Sequence, residues 1–183
     1  MRITIELEQA DVERFLHARA RSRRLALQMD EADIVAAAKH ALNTLPIGGA
    51  PVYVRKRIGE VQRLIMIVED EDWMLPEPER SEVLETLVYF SDPDDLIPDE
   101  IETIGLLDDA IMLELLVRRL RHVLKAYDDF CAFRTRLGAA PVRPEAHSAR
   151  AVRLARRRDE LRARMRRRQA RVEADDVTVS ATP

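Results

Sequence analysis

Two stretches of this chain carry apolar residues at alternating four- and three-residue intervals, and that spacing dictates helices. Val54, Ile58, Val61, Ile65 and Val68 form one series. Leu106, Ala110, Leu113, Val117, Leu120, Leu124 and Cys131 form the other, with Tyr127 filling its gap. At 3.6 residues per turn each series lies on one side of a helix, as a stripe that must be buried against something. Alanine, leucine and arginine dominate and aromatics make up only 4% of the 183 residues, which also favours helix. The second series reads as one long helix. The expectation is an all-α fold, a compact helical bundle.

Shorter helices fill in around these two. Asp11 has the chemistry to cap a helix running to about Leu27, with Val12, Phe15 and Leu16 turned inward. Asp30 starts the next, with Ile34, Val35, Ala38, Ala41, Leu42 and Leu45 inward, and the run Leu45 to Pro51 breaks it. Beyond Pro76 and Pro78, Ser81 opens a helix carrying Val83, Leu84, Leu87, Val88 and Phe90. The exception to helix is residues 2–8, where Ile3, Ile5 and Leu7 alternate with Thr4, Glu6 and Glu8. That is a short N-terminal β-strand, and its backbone groups need a partner. Val177 to Val179, another copy of the chain, or another protein would each supply one.

The segment between Phe90 and Leu106 is dense in acids and prolines. Asp92-Pro93-Asp94-Asp95 suits a helix start: an aspartate accepts an orphan N–H, proline is harmless at the first position, and acids face the positive end of the dipole. Pro98 interrupts that turn, and Gly105 supplies a bend. A second reading is a hard-cation site for magnesium or calcium, with Asp95, Asp99 and Asp108 as ligands. Capping accounts for most of these acids, and their spacing does not match the calcium-loop pattern.

The run Pro93-x-Asp95-Leu96-Ile97-Pro98-Asp99-x-Ile101, followed by Gly105-x-x-Asp108-Asp109, resembles the signature of the YkvA-like bacterial family, a domain of unknown function. The resemblance spans Tyr89 to Arg121 and implies a small helical domain with no established catalytic residues. The chain departs from the family's usual pattern in having Asp92 for serine, Glu100 for an apolar residue and Glu102 for a second proline. In many members this region is a greasy hairpin that suggests membrane association; Glu100 and Glu102 oppose that here.

Charge divides the chain more sharply than its net of −3 suggests. Residues 148–172 hold eleven arginines against Asp159 and Glu160, a balance of +9. Residues 173–183 carry −3, and the remainder carries −9. The expected organisation is therefore a helical domain over 1–137 with its signature at 89–121, a linker at 138–147, an arginine-rich helical arm at 148–172 and a disordered acidic tail at 173–183. The arm's apolar face is thin: Leu154, Leu161, Met165 and Val172. Arg156, Arg157 and Arg158 lie ten residues before Arg166, Arg167 and Arg168, close to three turns, and are the candidates for contacting phosphate or another anion. The arm has no aromatic residue on which a base would stack.

Other chemistry finds little support. His17, His40, His122 and His147 are scattered, with no zinc spacing to Cys131. The single cysteine lies on the apolar stripe and reads as a small core residue in a reducing, cytoplasmic compartment. No nucleophile turn and no phosphate loop is recognisable. The N-terminus lacks the apolar core of a signal peptide, and no run is long enough to span a bilayer, so stable membrane insertion is not expected. The first expectation is a non-enzymatic interaction or scaffold module without a cofactor, partnered by another protein or by itself. The alternatives are nucleic-acid or anionic-surface binding through the arm, and divalent-metal binding at the acidic bend.

Overall fold

The computed structural model describes residues 9–45, 52–92, 113–138 and 146–180; for residues 10, 11, 14, 146–148 and 172–180 it describes the backbone alone. All secondary structure among the described residues is helical. The helices are α1 (Gln9–Ala26), α2 (Glu31–Thr44), α3 (Val52–Glu69), α4 (Glu79–Ser91), α5 (113–119), α6 (Arg121–Gly138) and α7 (Ala146–Ser180). The expected strand over residues 2–8 lies outside the described residues.

The chain folds as two compact units that share it unevenly. Unit 1 comprises Met1–Val68 and Pro76–Arg118; unit 2 comprises Glu69–Leu75 and Arg119–Pro183. This division differs from a domain over 1–137 followed by an arm: α6 and a seven-residue segment beyond α3 belong with α7.

Unit 1 is held by aliphatic stripes. Every residue of the Val54–Val68 series is buried, joined by Leu64 and Ile67. In α2 the inward face is Ile34, Val35, Ala38 and Leu42. In α4 it is Val83, Leu87 and Val88, with Thr86 also buried and its hydroxyl donating to the Glu82 carbonyl at 2.9 Å. α4 packs on both α1 and α2. Each buried valine, leucine or isoleucine among them contributes about 1.5–3 kcal/mol by leaving water. The Arg80 guanidinium grips both oxygens of Glu31 at the start of α2, with Nε to Oε2 at 2.7 Å, and its Nη2 also reaches the Val68 carbonyl at 3.5 Å. This part-exposed pair orients three helix ends and adds about 0–1 kcal/mol, so burial decides the stability.

Several expected boundaries shift. α1 is already helical at Gln9, so Asp11 lies inside it rather than at its cap. On α1, Ser22 is buried, Phe15 half-buried, and Val12 and Leu16 exposed. Adjacent helical residues differ by about 100°, so turning Phe15 toward Tyr89 of α4, 6.5 Å between ring centres, swings Leu16 to the flank. Asp30 does occupy the cap of α2, but without a side-chain capping bond. α4 starts at Glu79, two residues before Ser81, because Glu77 supplies the cap: its Oε2 accepts the Ser81 N–H at 3.2 Å and the Ser81 hydroxyl at 2.7 Å. Asp92 ends α4 as its C-cap, and its carboxylate accepts from Arg21 at 3.3 Å.

The long helix expected from Leu106 is interrupted by a turn at Leu120, between α5 and α6. The apolar stripe nevertheless continues across it: Leu113, Val117, Leu120, Leu124 and Tyr127 are all buried, while Cys131 is half-buried. Within unit 1, Arg57 bridges α3 to α5 through Glu114 and also holds Glu60 at 2.8 Å.

In unit 2, α6 and α7 form an antiparallel pair. Gly138 lies beside the Arg150 guanidinium, and Phe133 lies under that of Arg157, so stepping back along α6 moves forward along α7. The arm is therefore seated through Leu154, Leu161 and Met165, all buried; the side chain of Val172 lies outside the described ones. Its helix runs on to Ser180, across residues 173–180 where disorder was expected; residues 181–183 lie outside the described residues. No described helix is long and apolar enough to cross a membrane.

Candidate anion-binding face

Two features of unit 2 make α7 a rigid platform and then leave one of its sides open.

The first is the 69–75 segment, folded back onto α6. Asp70 organises it. One oxygen of its carboxylate accepts the backbone N–H groups of Asp72 at 3.0 Å and Trp73 at 3.1 Å, which closes a tight turn. The other accepts the Tyr127 hydroxyl at 2.8 Å, and Arg134 Nη1 sits 3.0 and 2.8 Å from the two. A carboxylate this buried is tolerable because its lone pairs are used and a cation neutralises it. Burial first, and then the hydrogen bond to Asp70, push the Tyr127 phenol well above its ordinary range. Burial acts to lower the Arg134 guanidinium, but the neighbouring Asp70 carboxylate outweighs it and raises it. Both groups are fixed in their ordinary charge states, which suits a structural node and not proton transfer.

The turn delivers Trp73 into the unit's core. Its ring is fully buried, 5.9 Å from Tyr127 edge-on and 5.1 Å from Phe130. Arg162 of α7 covers the indole at 5.7 Å and donates to the Trp73 carbonyl. Arg158 reaches the Asp72 carbonyl at 3.4 Å and the Met74 sulfur at 3.2 Å. Met74 has φ of 47°, a left-handed conformation that costs a side chain about 1–2 kcal/mol. Its N–H donates to the Asp70 carbonyl at 2.9 Å, so it is the residue that stops the turn.

The second feature is the open side. Arg164, Arg167, Arg168 and Arg171 stand at i, i+3, i+4 and i+7, on one side of α7, and their side chains border an open surface cleft of about 250 Å³ formed by that helix alone. Three are exposed and Arg168 is half-buried. Among the described residues none of the four makes an ion pair. Four guanidiniums along two turns, with no carboxylate between them, offer a fan of donors to an anion.

The sequence candidates divide accordingly. Arg156 is exposed and pairs with Glu160 at 3.2 Å. Arg157 is half-buried over the Phe133 ring at 5.8 Å and also reaches Glu160, at 3.3 Å. Arg158 is turned onto the 69–75 segment. Arg166 is exposed; Arg167 and Arg168 join the cleft. The two triplets are not one surface, because ten residues are 80° short of three full turns. Arg164 and Arg171 were missed; their heptad spacing to each other and to Arg167 and Arg168 was the available signal. The metal candidates Asp95, Asp99 and Asp108 lie outside the described residues, and no metal-binding cluster occurs among those described. Cys131 touches Arg134, with Sγ 3.7 Å from Nη2.

The model of a family described as "Protein of unknown function (DUF1232)" matches residues 82–115, from within α4 across the acidic segment to α5. This is less than a fifth of the chain and takes in most of the stretch carrying the D-L-I-P-D signature. The arginine face lies outside it. No curated protein and no solved structure matches the chain.

Proposed function

We propose that this protein carries a YkvA-like domain and acts by binding, as a non-enzymatic interaction module that presents the arginine face of α7 to an acidic partner in the reducing cytoplasm. The observation that carries this is the quartet Arg164, Arg167, Arg168 and Arg171, gathered around one open cleft without an ion-pair partner among the described residues. Seating α7 on α6 and on the Trp73 segment supports the same reading. Arginines on a helix already fixed in place lose little further entropy when a partner arrives, whereas a free arm would lose a great deal. An acidic protein segment fits better than nucleic acid or lipid. α7 offers no aromatic for stacking, and between Ala163 and Arg171 its exposed residues are arginine and alanine only, with nothing to insert into a bilayer.

The test is fluorescence anisotropy of a labelled oligoglutamate peptide titrated with the whole protein. Binding is expected at low salt and fades as salt screens the charges. The variant R164E/R167E/R168E/R171E, with unchanged helix content, abolishes it. Equal binding by that variant would refute the reading.

A further inference from the structure

The two units carry opposite charge. Unit 1 has 13 Lys/Arg against 21 Asp/Glu, a net of −8, while unit 2 has 17 against 12, a net of +5. The excess is concentrated on each side. From Glu82 to Glu114 the chain has eleven carboxylates and no lysine or arginine. From Arg162 to Arg171 it has six arginines and no carboxylate. Three of the acids are already paired within unit 1: Glu85 with Arg23, Asp92 with Arg21 and Glu114 with Arg57. The seven between Asp94 and Asp109 lie outside the described residues and enter here by their charge alone.

We infer that the acidic partner of the arginine face is a second copy of this chain, which contributes its acidic stretch between Asp94 and Asp109. This rests on the reading that the arginine quartet is a binding face. The complementarity runs in both directions: every copy carries one acidic stretch and one arginine face. Every such contact sets one patch against a different patch, so copies either close as a reciprocal pair or pass the contact on to a further copy, and in both cases association rises with concentration.

The experiment is sedimentation velocity of the whole protein at several concentrations. It is run at about 0.01 M salt, where charges reach ~30 Å, and at about 1 M, where they reach ~3 Å. Wild type is expected to show average mass rising with concentration at low salt and a single monomer at high salt. R164E/R167E/R168E/R171E alone and D94K/D95K/D99K alone are each monomeric at low salt. Mixed in equal amounts they associate, because the native acidic stretch of the first variant meets the native arginine face of the second. If the lysine variant does not fold, D94N/D95N/D99N replaces it, and its loss of self-association supports the inference equally.

Monomeric wild type at low salt, or a mixture that stays monomeric, overturns the inference. Such a result accompanied by oligoglutamate binding leaves the binding face standing and removes only the second copy as its occupant. Absence of both removes the binding face as well.

Discussion

The two units reach stability by different means. Unit 1 stacks aliphatic stripes, and its ion pairs, such as Arg80 with Glu31 and Arg23 with Glu85, are part-exposed fasteners on an apolar interior. Unit 2 has a thinner aliphatic face and compensates with an aromatic centre of Trp73, Tyr127 and Phe130 wired to Asp70 and to arginines of α6 and α7. A helix as basic as α7 cannot dock by hydrophobic burial alone. It docks through arginines used as flat apolar plates and hydrogen-bond donors, over Phe133 and Trp73 and onto the backbone of residues 72–73. An arginine-rich helix is thus not automatically a solvated arm: some of its charges are structural, and others are left over.

The largest effect on this contrast is expected from W73A. Removing a fully buried indole costs about 3–5 kcal/mol. Hydrogen exchange should show protection falling in α6 and α7 more than in α1, α2 and α4. Equal losses throughout would mean that the two units melt as one and that the distinction has no energetic content. L87A is the mirror test on the aliphatic side, at about 2–5 kcal/mol, with protection falling first in α1, α2 and α4. D70N comes next. It leaves Arg134 with only the exposed Asp72 carboxylate, at 3.3 Å, as counter-charge and weakens the turn, at about 1.5–3 kcal/mol by denaturant titration. A cost indistinguishable from zero would make the node ornamental.

Y127F sharpens the same point through pH. Burial and Asp70 hold the phenol's proton more tightly in the folded chain than its ordinary value of 10 would. The unfolded chain loses that proton first, so unfolding releases it and is favoured by alkali. Stability contributed by this proton is intact below about pH 10 and falls as pH rises above it. The phenylalanine variant, about 1.5 kcal/mol less stable at neutral pH, should lack this share of the alkaline decline. The smallest effect belongs to M74G. Relief of the left-handed conformation is offset by glycine's freedom in the unfolded chain, so stability should stay within about 1 kcal/mol of wild type.

Unit 1 was largely legible in the sequence because regular spacing is a direct image of burial: all of the Val54 to Val68 series is buried, as are Ile34, Val35, Ala38 and Leu42 and Val83, Leu87 and Val88, while Ala41, Leu45, Leu84 and Phe90, expected inward with them, are half-buried. Errors there came from capping partners and from the facing of α1, where Val12 and Leu16 are exposed. Glu77 took the role assigned to Ser81, because a carboxylate just outside a helix reaches back as well as a hydroxyl inside it. Unit 2 was harder to read. Trp73 is a lone aromatic in an acidic turn, with no periodic neighbours, and Asp70 resembles any solvated acid until the fold brings Tyr127 and Arg134 to it across 57 and 64 residues. Local pattern holds no record of contacts at that separation. The arginine face was half visible: conspicuous triplets drew attention, while the heptad that sets which side chains share a face includes Arg164 and Arg171.

Because the Trp73 segment precedes α4 in the chain yet completes the core of α6 and α7, the polypeptide passes between the units three times, after Val68, after Leu75 and after Arg118. Anyone expressing the basic hairpin by itself, from residue 119 onward, would obtain two helices whose central ring was left behind on the other fragment. The natural cut sites of this protein are not at a single point, and its basic half inherits its keystone from sequence translated well before it.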